Sequence, residues 1–393
     1  MQRRDFIKQA GASLLFWQMP TLLATSTNQK PAKKLVWVVL RGGMDSLHTV
    51  VPTFEQNLTK LRPTLAPAIA DKLLPIDKGF ALHPSLSNLH QWYKDKELLP
   101  IVAVSTGYPK RSHFDGQDFL ECGLKSIDHD SGWLARAIDQ KHQYALAIQN
   151  STPLSLRSSE NVNTWYPSNL KGATTDIYEQ LESLYQYDEL LQRRLKDGME
   201  VRAMAGMSSS KKRRSKFTDL TTACAKLMKG NSTEANSMQK KSVVDCAMLE
   251  LGGWDTHNNQ SNRLARQLTE LDNGLLALKK GLANQWDNTV VIIASEFGRT
   301  AKENGTKGTD HGTAGALMLA GGAVSGGQVL GNWPGLEKSK LFEERDLMPT
   351  TNSFAWFASV LAQHWEMDKN QLQQVFPDIK PYTNNLIKSK LKS

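Results

Sequence analysis

Four short stretches of this 393-residue chain place acids and histidines among glycines at the ends of apolar runs. Asp45 lies in RGGMDS, Asp255 and His257 in GGWDTH, Glu296 in ASEFGR, and Asp310 and His311 in TDHG. Carboxylates and imidazoles together suit Zn²⁺, Mn²⁺ or Fe, and carboxylate-rich sets also suit Mg²⁺ or Ca²⁺. A polar site without metal is the alternative. One such residue alone says little, because a single Asp at a strand end usually caps a helix or shapes a turn. Recurrence at several strand ends is the signal. Gly42, Gly43, Gly252, Gly253, Gly298, Gly308 and Gly312 bracket these residues. Glycine lets the backbone turn sharply and lets a ligand come close.

The elements that must position these groups read as α/β. The runs 35–40 (LVWVVL) and 98–105 (LLPIVAVS) are continuously apolar and β-branched, as expected of strands buried on both faces. Further strands are expected at 145–148, 243–251, 289–295 and 314–319. Helical spacing marks 85–98, 113–122 and 260–285, the last with Leu264, Leu268, Leu271, Leu275 and Leu278 on one face. This alternation predicts a mostly parallel central sheet with helices on both faces, in one domain over 33–385. Ligands of such sheets bind at the carboxyl ends of the strands, where the acids and histidines fall. From about 158 to 240 the chain turns polar and helical, with a helical stretch at 176–198 and a basic stretch at 206–216. That reads as an insertion.

The formal charge of +9 arises partly from Lys211, Lys212, Arg213, Arg214 and Lys216. Nucleic-acid binding calls for a broader basic face with interleaved aromatics, so no nucleic-acid partner is expected. Cys122, Cys224 and Cys246 form no CxxC pair, so neither a disulfide framework nor a thiolate zinc site is indicated. One disulfide stays open, and Cys246, in an apolar run, reads as a buried thiol. Arg3 and Arg4, with Phe6, Lys8 and the apolar stretch to Ala24, read as a twin-arginine export signal over 1–24. The implied partner is the twin-arginine translocase, and the implied location is periplasmic or otherwise exported. Gln18 and Pro20 break that stretch, and no later run reaches the roughly 20 apolar residues of a membrane span.

The strings LRGGMDSLHTVVP (40–52), GYPKRSHFDGQDFLECG (107–123), LGGWDTHNNQ (251–260), SEFGRTAKENGTKGTDHG (295–312) and GGAVSGGQVLGNWPGL (321–336) resemble the bacterial family catalogued as domain of unknown function 1501. That family in turn is similar to the alkaline phosphatase and sulfatase superfamily. The resemblance implies an alkaline-phosphatase-like fold and a metal-dependent hydrolase of phosphate or sulfate esters. One or two divalent metals (Zn, Mn, Mg or Ca) would lie among Asp45, His113, Asp255, His257, Glu296, Asp310 and His311. They would activate a water or a serine and polarise an ester oxygen. The substrate would be an anionic ester, small or polysaccharide.

The same resemblance makes Ser112, before the helix at 113–122, the candidate nucleophile, and Arg299 a clamp for an anionic group. Arg111 is a weaker anion-binding candidate. A helix N-cap is the plain alternative for Ser112, an ion pair with Glu303 for Arg299, and a helix-start hydrogen bond for His113. His83 reads as a loop-ordering residue. The superfamily's Asp-His or Asp-Asn pair is replaced by Glu296-Phe297, and Cys122 is followed by Gly-Leu-Lys rather than a formylglycine string. A formylglycine sulfatase is therefore disfavoured. The rival function is a non-catalytic binding or assembly protein on a hydrolase-like scaffold.

Overall fold

The computed structural model describes residues 32–167, 175–205, 216–229 and 244–389. The expected export signal and most of the basic stretch at 206–216 lie outside the described residues. In chain order the strands are β1 Lys34–Arg41, β2 Val50–Pro52, β3 Leu74–Pro75, β4 Phe80–Leu82, β5 Leu98–Ser105, β6 Tyr144–Ala147, β7 Val162–Thr164, β8 Val244–Gly252, β9 Thr289–Ala294, β10 Gly315–Ala320 and β11 Thr351–Asn352. The helices are α1 Ser46–Thr49, α2 Gln56–Leu61, α3 Ser87–Lys94, α4 His113–Cys122, α5 Trp133–Lys141, α6 Thr175–Leu184, α7 Glu189–Ala205, α8 Phe217–Lys229, α9 Gln260–Leu282, α10 Ser353–His364 and α11 Lys369–Val375.

Eight strands form one sheet in the order β11-β5-β10-β9-β1-β8-β6-β7, and β2, β4 and β3 form a small second sheet. β1 is flanked by β8 and β9, both parallel to it. Its continuous apolar run is explained by burial on both faces. Val36, Val38 and Leu40 join a core with Leu268, Leu271 and Leu275 of α9, while Leu35, Trp37 and Val39 join another with Trp133 of α5 and Phe357 of α10. Trp37 meets Phe357 edge-on at 5.1 Å between ring centroids. The sheet is thus mostly parallel with helices on both faces.

β10 is antiparallel to both its neighbours, β9 and β5. This orientation matters for function. β9 ends, and β10 begins, at the same edge of the sheet, so the whole 295–314 connection stays there. That edge is also the carboxyl end of β1, β8 and β5.

The expected helix at 176–198 is divided into α6 and α7. Within the stretch read as an insertion, β7 adds to the sheet edge beside β6, and α8 buries Phe217, Leu220, Cys224 and Met228 in the same core as α9. All three cysteines are free and buried. Among the described residues no helix is long and apolar enough to cross a membrane.

Candidate metal centre

Three loops at the carboxyl edge bring His113, Asp255, His257 and His311 together. His113 opens α4 after the loop from β5. Asp255 and His257 lie between β8 and α9, and His311 precedes β10. Two glycines allow the close approach. Gly42, at the end of β1, has φ +125°, and a Cβ there would meet the Asp255 nitrogen at 2.6 Å. A Cβ on Gly308 would meet the His257 carbonyl oxygen at 2.2 Å, so only glycine lets the loop before His311 lie on the loop carrying His257.

Asp255 Oδ1 is the hub. It lies 2.9 Å from His257 Nε2, 3.3 Å from His311 Nε2 and 3.3 Å from His113 Nε2. The ligand atoms of His113, Asp255 and His311 all lie within 4.8 Å of one another. His257 Nε2 is 3.0 Å from His311 Nε2. Two triangles of donor atoms therefore share the Asp255–His311 edge.

The far side of each imidazole is held by an oxygen. His113 Nδ1 faces Glu296 Oε1 at 2.8 Å, His257 Nδ1 faces Asp310 Oδ1 at 3.0 Å, and His311 Nδ1 faces the Arg111 carbonyl at 2.8 Å. An ionised carboxylate and a carbonyl only accept, so each Nδ1 is a donor, and each ring in its neutral form presents its Nε2 lone pair to the centre. Fixing the outer nitrogen in this way orients metal-ligating histidines and sets their tautomer. Among the described residues His113 Nε2 is buried without a hydrogen-bond partner, an orphaned acceptor of the kind a cation would satisfy. A set of three imidazole nitrogens and one carboxylate oxygen fits Zn²⁺ or Mn²⁺ better than Mg²⁺ or Ca²⁺, which prefer oxygen.

Electrostatics follow from the neighbours. Burial opposes ionisation of Asp255, but Arg299, whose Nη2 is 2.6 Å away, together with His257 and His113, holds its carboxyl below the usual range. Burial likewise opposes the charge on Glu296, and hydrogen bonds from His113, its own backbone, Gln117 and Ser295 outweigh it. Asn304 is the main cause of a lowered Asp310. Burial lowers His311, reinforced by His113 and Arg299. For His113 burial is overcome by Glu296 and Asp255, and its affinity for a proton rises.

Glu296 and Asp310 thus sit behind His113 and His257, each engaging an Nδ1. Asp45 is elsewhere engaged. Its carboxylate is buried against Arg62 Nη1 at 2.7 Å and accepts from Gln260 Nε2. Arg62 also donates to the carbonyls of Thr300 and Ala301, and Gln260 Oε1 accepts from Thr256 and Thr309. This buried frame clamps the loop carrying His257 to the loop carrying His311.

Arg299 is fully buried. It binds Asp255 and the carbonyls of Gly43 and Trp254, and its Nη1 has no partner among the described residues. The ion pair with Glu303 does not form, because Glu303 accepts from the backbone of Thr64 and Leu65. Ser112 is the N-cap residue of α4, yet its side chain makes no capping hydrogen bond. Arg111 is paired with Glu343 and Asp346. His83 Nδ1 accepts from the Ser85 backbone, as a loop-ordering residue would.

Sequence reasoning missed Phe297, Arg62 and Gln260. Phe297 is buried and stacks on His113 at 4.9 Å and 26°, forming the wall behind the imidazoles. Its place directly after Glu296 was its only signal. Arg62 and Gln260 carry no local pattern.

The family model described as protein of unknown function (DUF1501) matches residues 32–376, and the chain belongs to that family. No curated protein matches. Solved structures with a similar chain path include the phosphonate monoester hydrolase of Agrobacterium radiobacter, at 10% identity and a TM-score of 0.39, covering 85% of this chain and 74% of that one. The C-terminal periplasmic domain of EcEptC from Escherichia coli, solved with Zn, is 10% identical at a TM-score of 0.37, over 74% of this chain and 73% of that one. A protein in the alkaline phosphatase superfamily from Vibrio parahaemolyticus is 12% identical at a TM-score of 0.30, over 93% and 75%.

Proposed function

We propose that this chain is an exported metal-dependent hydrolase of phosphate or sulfate esters, with its centre at His113, Asp255, His257 and His311. One observation carries the reading. Three Nε2 lone pairs and a carboxylate oxygen converge, while every Nδ1 is held by an oxygen acceptor. A divalent metal held there would supply Lewis acidity toward an ester oxygen.

The chain's own groups have distinct tasks in this reading. Glu296, Asp310 and the Arg111 carbonyl hold the imidazoles in the ligating tautomer. Arg299 keeps Asp255 ionised and fixes its carboxylate, and its unpartnered Nη1 has donors left for an anion. Ser112 stands at the N-terminus of α4, where the helix dipole favours negative charge on its oxygen. Its hydroxyl is not spent as a cap. As nucleophile, Ser112 Oγ forms a bond to phosphorus or sulfur, and the alcohol leaves carrying the hydroxyl proton. Water then cleaves the seryl ester and returns a proton to Ser112.

Export rests on the Arg3-Arg4 pair and the stretch that follows it. Twin-arginine export carries folded proteins, and a centre assembled from residues 113 to 311 needs the finished fold. The test is elemental analysis of purified protein together with turnover of aryl phosphate and aryl sulfate before and after chelation. Stoichiometric metal with chelator-sensitive turnover supports the reading. Protein that takes up no divalent metal, or that binds metal and turns over no ester, sinks it.

A further inference from the structure

Beside the centre lies an open groove of about 610 Å³, lined among others by Lys60, Lys302, Glu303, Asp310, Glu344 and Arg345. It touches the centre at two points. Asp310 holds His257, and Arg345 Nη1 donates to the His311 carbonyl at 2.9 Å. The groove walls carry acids as well as bases, so the sign of the groove depends on which charges are already used.

The acids are used. Glu303 accepts from the Thr64 and Leu65 backbone, Asp310 accepts from His257 and Asn304, and Glu344 pairs with Lys338 at 2.8 Å. Arg345 is tied to Asp346. Lys60 and Lys302 are exposed and have no ion pair or side-chain hydrogen bond among the described residues. Four bases (Lys60, Lys302, Lys338 and Arg345) against three acids (Glu303, Asp310 and Glu344) leave the lining one formal positive charge in excess, and Lys60 and Lys302 are its cations not held by an acid.

We propose that the groove binds a second anionic group of the substrate, beyond the ester under attack, with Lys60 and Lys302 as its counter-charges. The proposal rests on reading the centre as an anionic-ester site, and it narrows the substrate class to a multiply charged ester. A sulfated sugar chain and a phosphorylated molecule share this chemistry. A compact ester with one charge leaves the groove unused.

Calorimetric titration of the full, metal-loaded protein tests it with three probes: a multiply sulfated disaccharide, tripolyphosphate and phenyl sulfate. Wild-type protein binds at least one of the two polyanions more tightly than phenyl sulfate, and its binding weakens with added salt. The preferred polyanion identifies the source of the second charge. In K60Q/K302Q that polyanion binds roughly tenfold or more weakly, with a shallower salt dependence, and K60R/K302R retains binding. The two lysines are exposed, and an unchanged melting curve confirms that the variants fold. Equal binding of the polyanion by wild type and K60Q/K302Q, or no preference for either polyanion over phenyl sulfate, overturns the proposal. Binding is read without turnover, so the two readings fail separately. An inert protein whose polyanion binding still depends on the lysines rejects the hydrolase and supports the groove.

Discussion

His257 and His311 face each other through their Nε2 atoms at 3.0 Å. Their Nδ1 atoms face Asp310 and the Arg111 carbonyl, so both protons are on the outer nitrogens. Two lone pairs then oppose each other, with the Asp255 carboxylate 2.9 and 3.3 Å away. Such an arrangement is repulsive unless a cation or an extra proton sits in it. A divalent metal resolves the conflict for all three groups at once, whereas a proton bridges only the two facing nitrogens.

Wild-type protein should accordingly hold stoichiometric divalent metal, and His311→Ala or Asp255→Ala should lose most of it. Removing metal should lower the melting temperature, and adding it back should restore it. Metal at a hundred times its dissociation constant stabilises by about 2.7 kcal/mol. Elemental analysis and thermal melts with and without chelator read both effects. A wild type no richer in metal than the two variants counts against the centre.

Metal affinity should fall as pH falls. The ligating nitrogens must be unprotonated, so metal and protons compete for the same Nε2 atoms. His113 is the most affected, because Glu296 and Asp255 overcome its burial and raise its affinity for a proton. Competition titrations across pH 5–8 should show weakening toward the acid end. A pH-independent dissociation constant would contradict ligation by histidine.

Asp310→Asn separates orientation from ligation. Asn keeps an oxygen near His257 Nδ1 but removes the charge that fixes the tautomer. Loss of such an outer carboxylate costs about 10–100-fold in metal affinity. The side chain is half exposed, so global stability should barely change. Chelator competition, checked against urea unfolding, measures the two. Wild-type metal affinity in this variant would show that Asp310 does not position His257.

Much of this centre was legible because glycine-flanked acids and histidines recur at strand ends. Asp255, His257 and His311 needed only the α/β rule that such ends share an edge. The direction of β10 was not legible, since a short apolar run such as 315–320 reads the same in either direction, yet it keeps the 295–314 loop at that edge. Asp45 shows where pattern misleads. It sits at the carboxyl end of β1 like the others, but Arg62 reaches it from 17 positions along the chain. Nothing local announces that pairing. Whether a strand-end acid faces a metal or a guanidinium is decided by tertiary packing.

The Asp45–Arg62 pair gives a separate prediction about stability. Both side chains are essentially inaccessible, at 1% and 0% exposure. Deleting one partner strands the other charge in the interior, at a cost of about 3–5 kcal/mol. Arg62→Ala should lower unfolding stability by that order in urea. It should also loosen the clamp between the loops of His257 and His311, and so weaken metal binding without removing a ligand. A loss below about 1 kcal/mol would mean that the pair is not buried as described.

His48 supplies a pH prediction that is independent of the centre's ligands. It is 1% exposed, and burial, with help from Arg62 and His83 and against the pull of Asp45, lowers its pKa to about 3. The unfolded chain returns it to its ordinary value near 6.5. Between those two values the unfolded state binds a proton that the folded state refuses. Stability therefore rises with pH through this window and falls as the solution is acidified, by roughly 1.4 kcal/mol per pH unit from this one group. Above pH 6.5 both states are neutral and the dependence ends. His48→Gln removes the titration, so its unfolding free energy, followed from pH 4 to 6 by urea denaturation, should have a slope shallower than wild type by up to that amount. Parallel slopes for the two proteins would show that His48 is not held neutral in the fold.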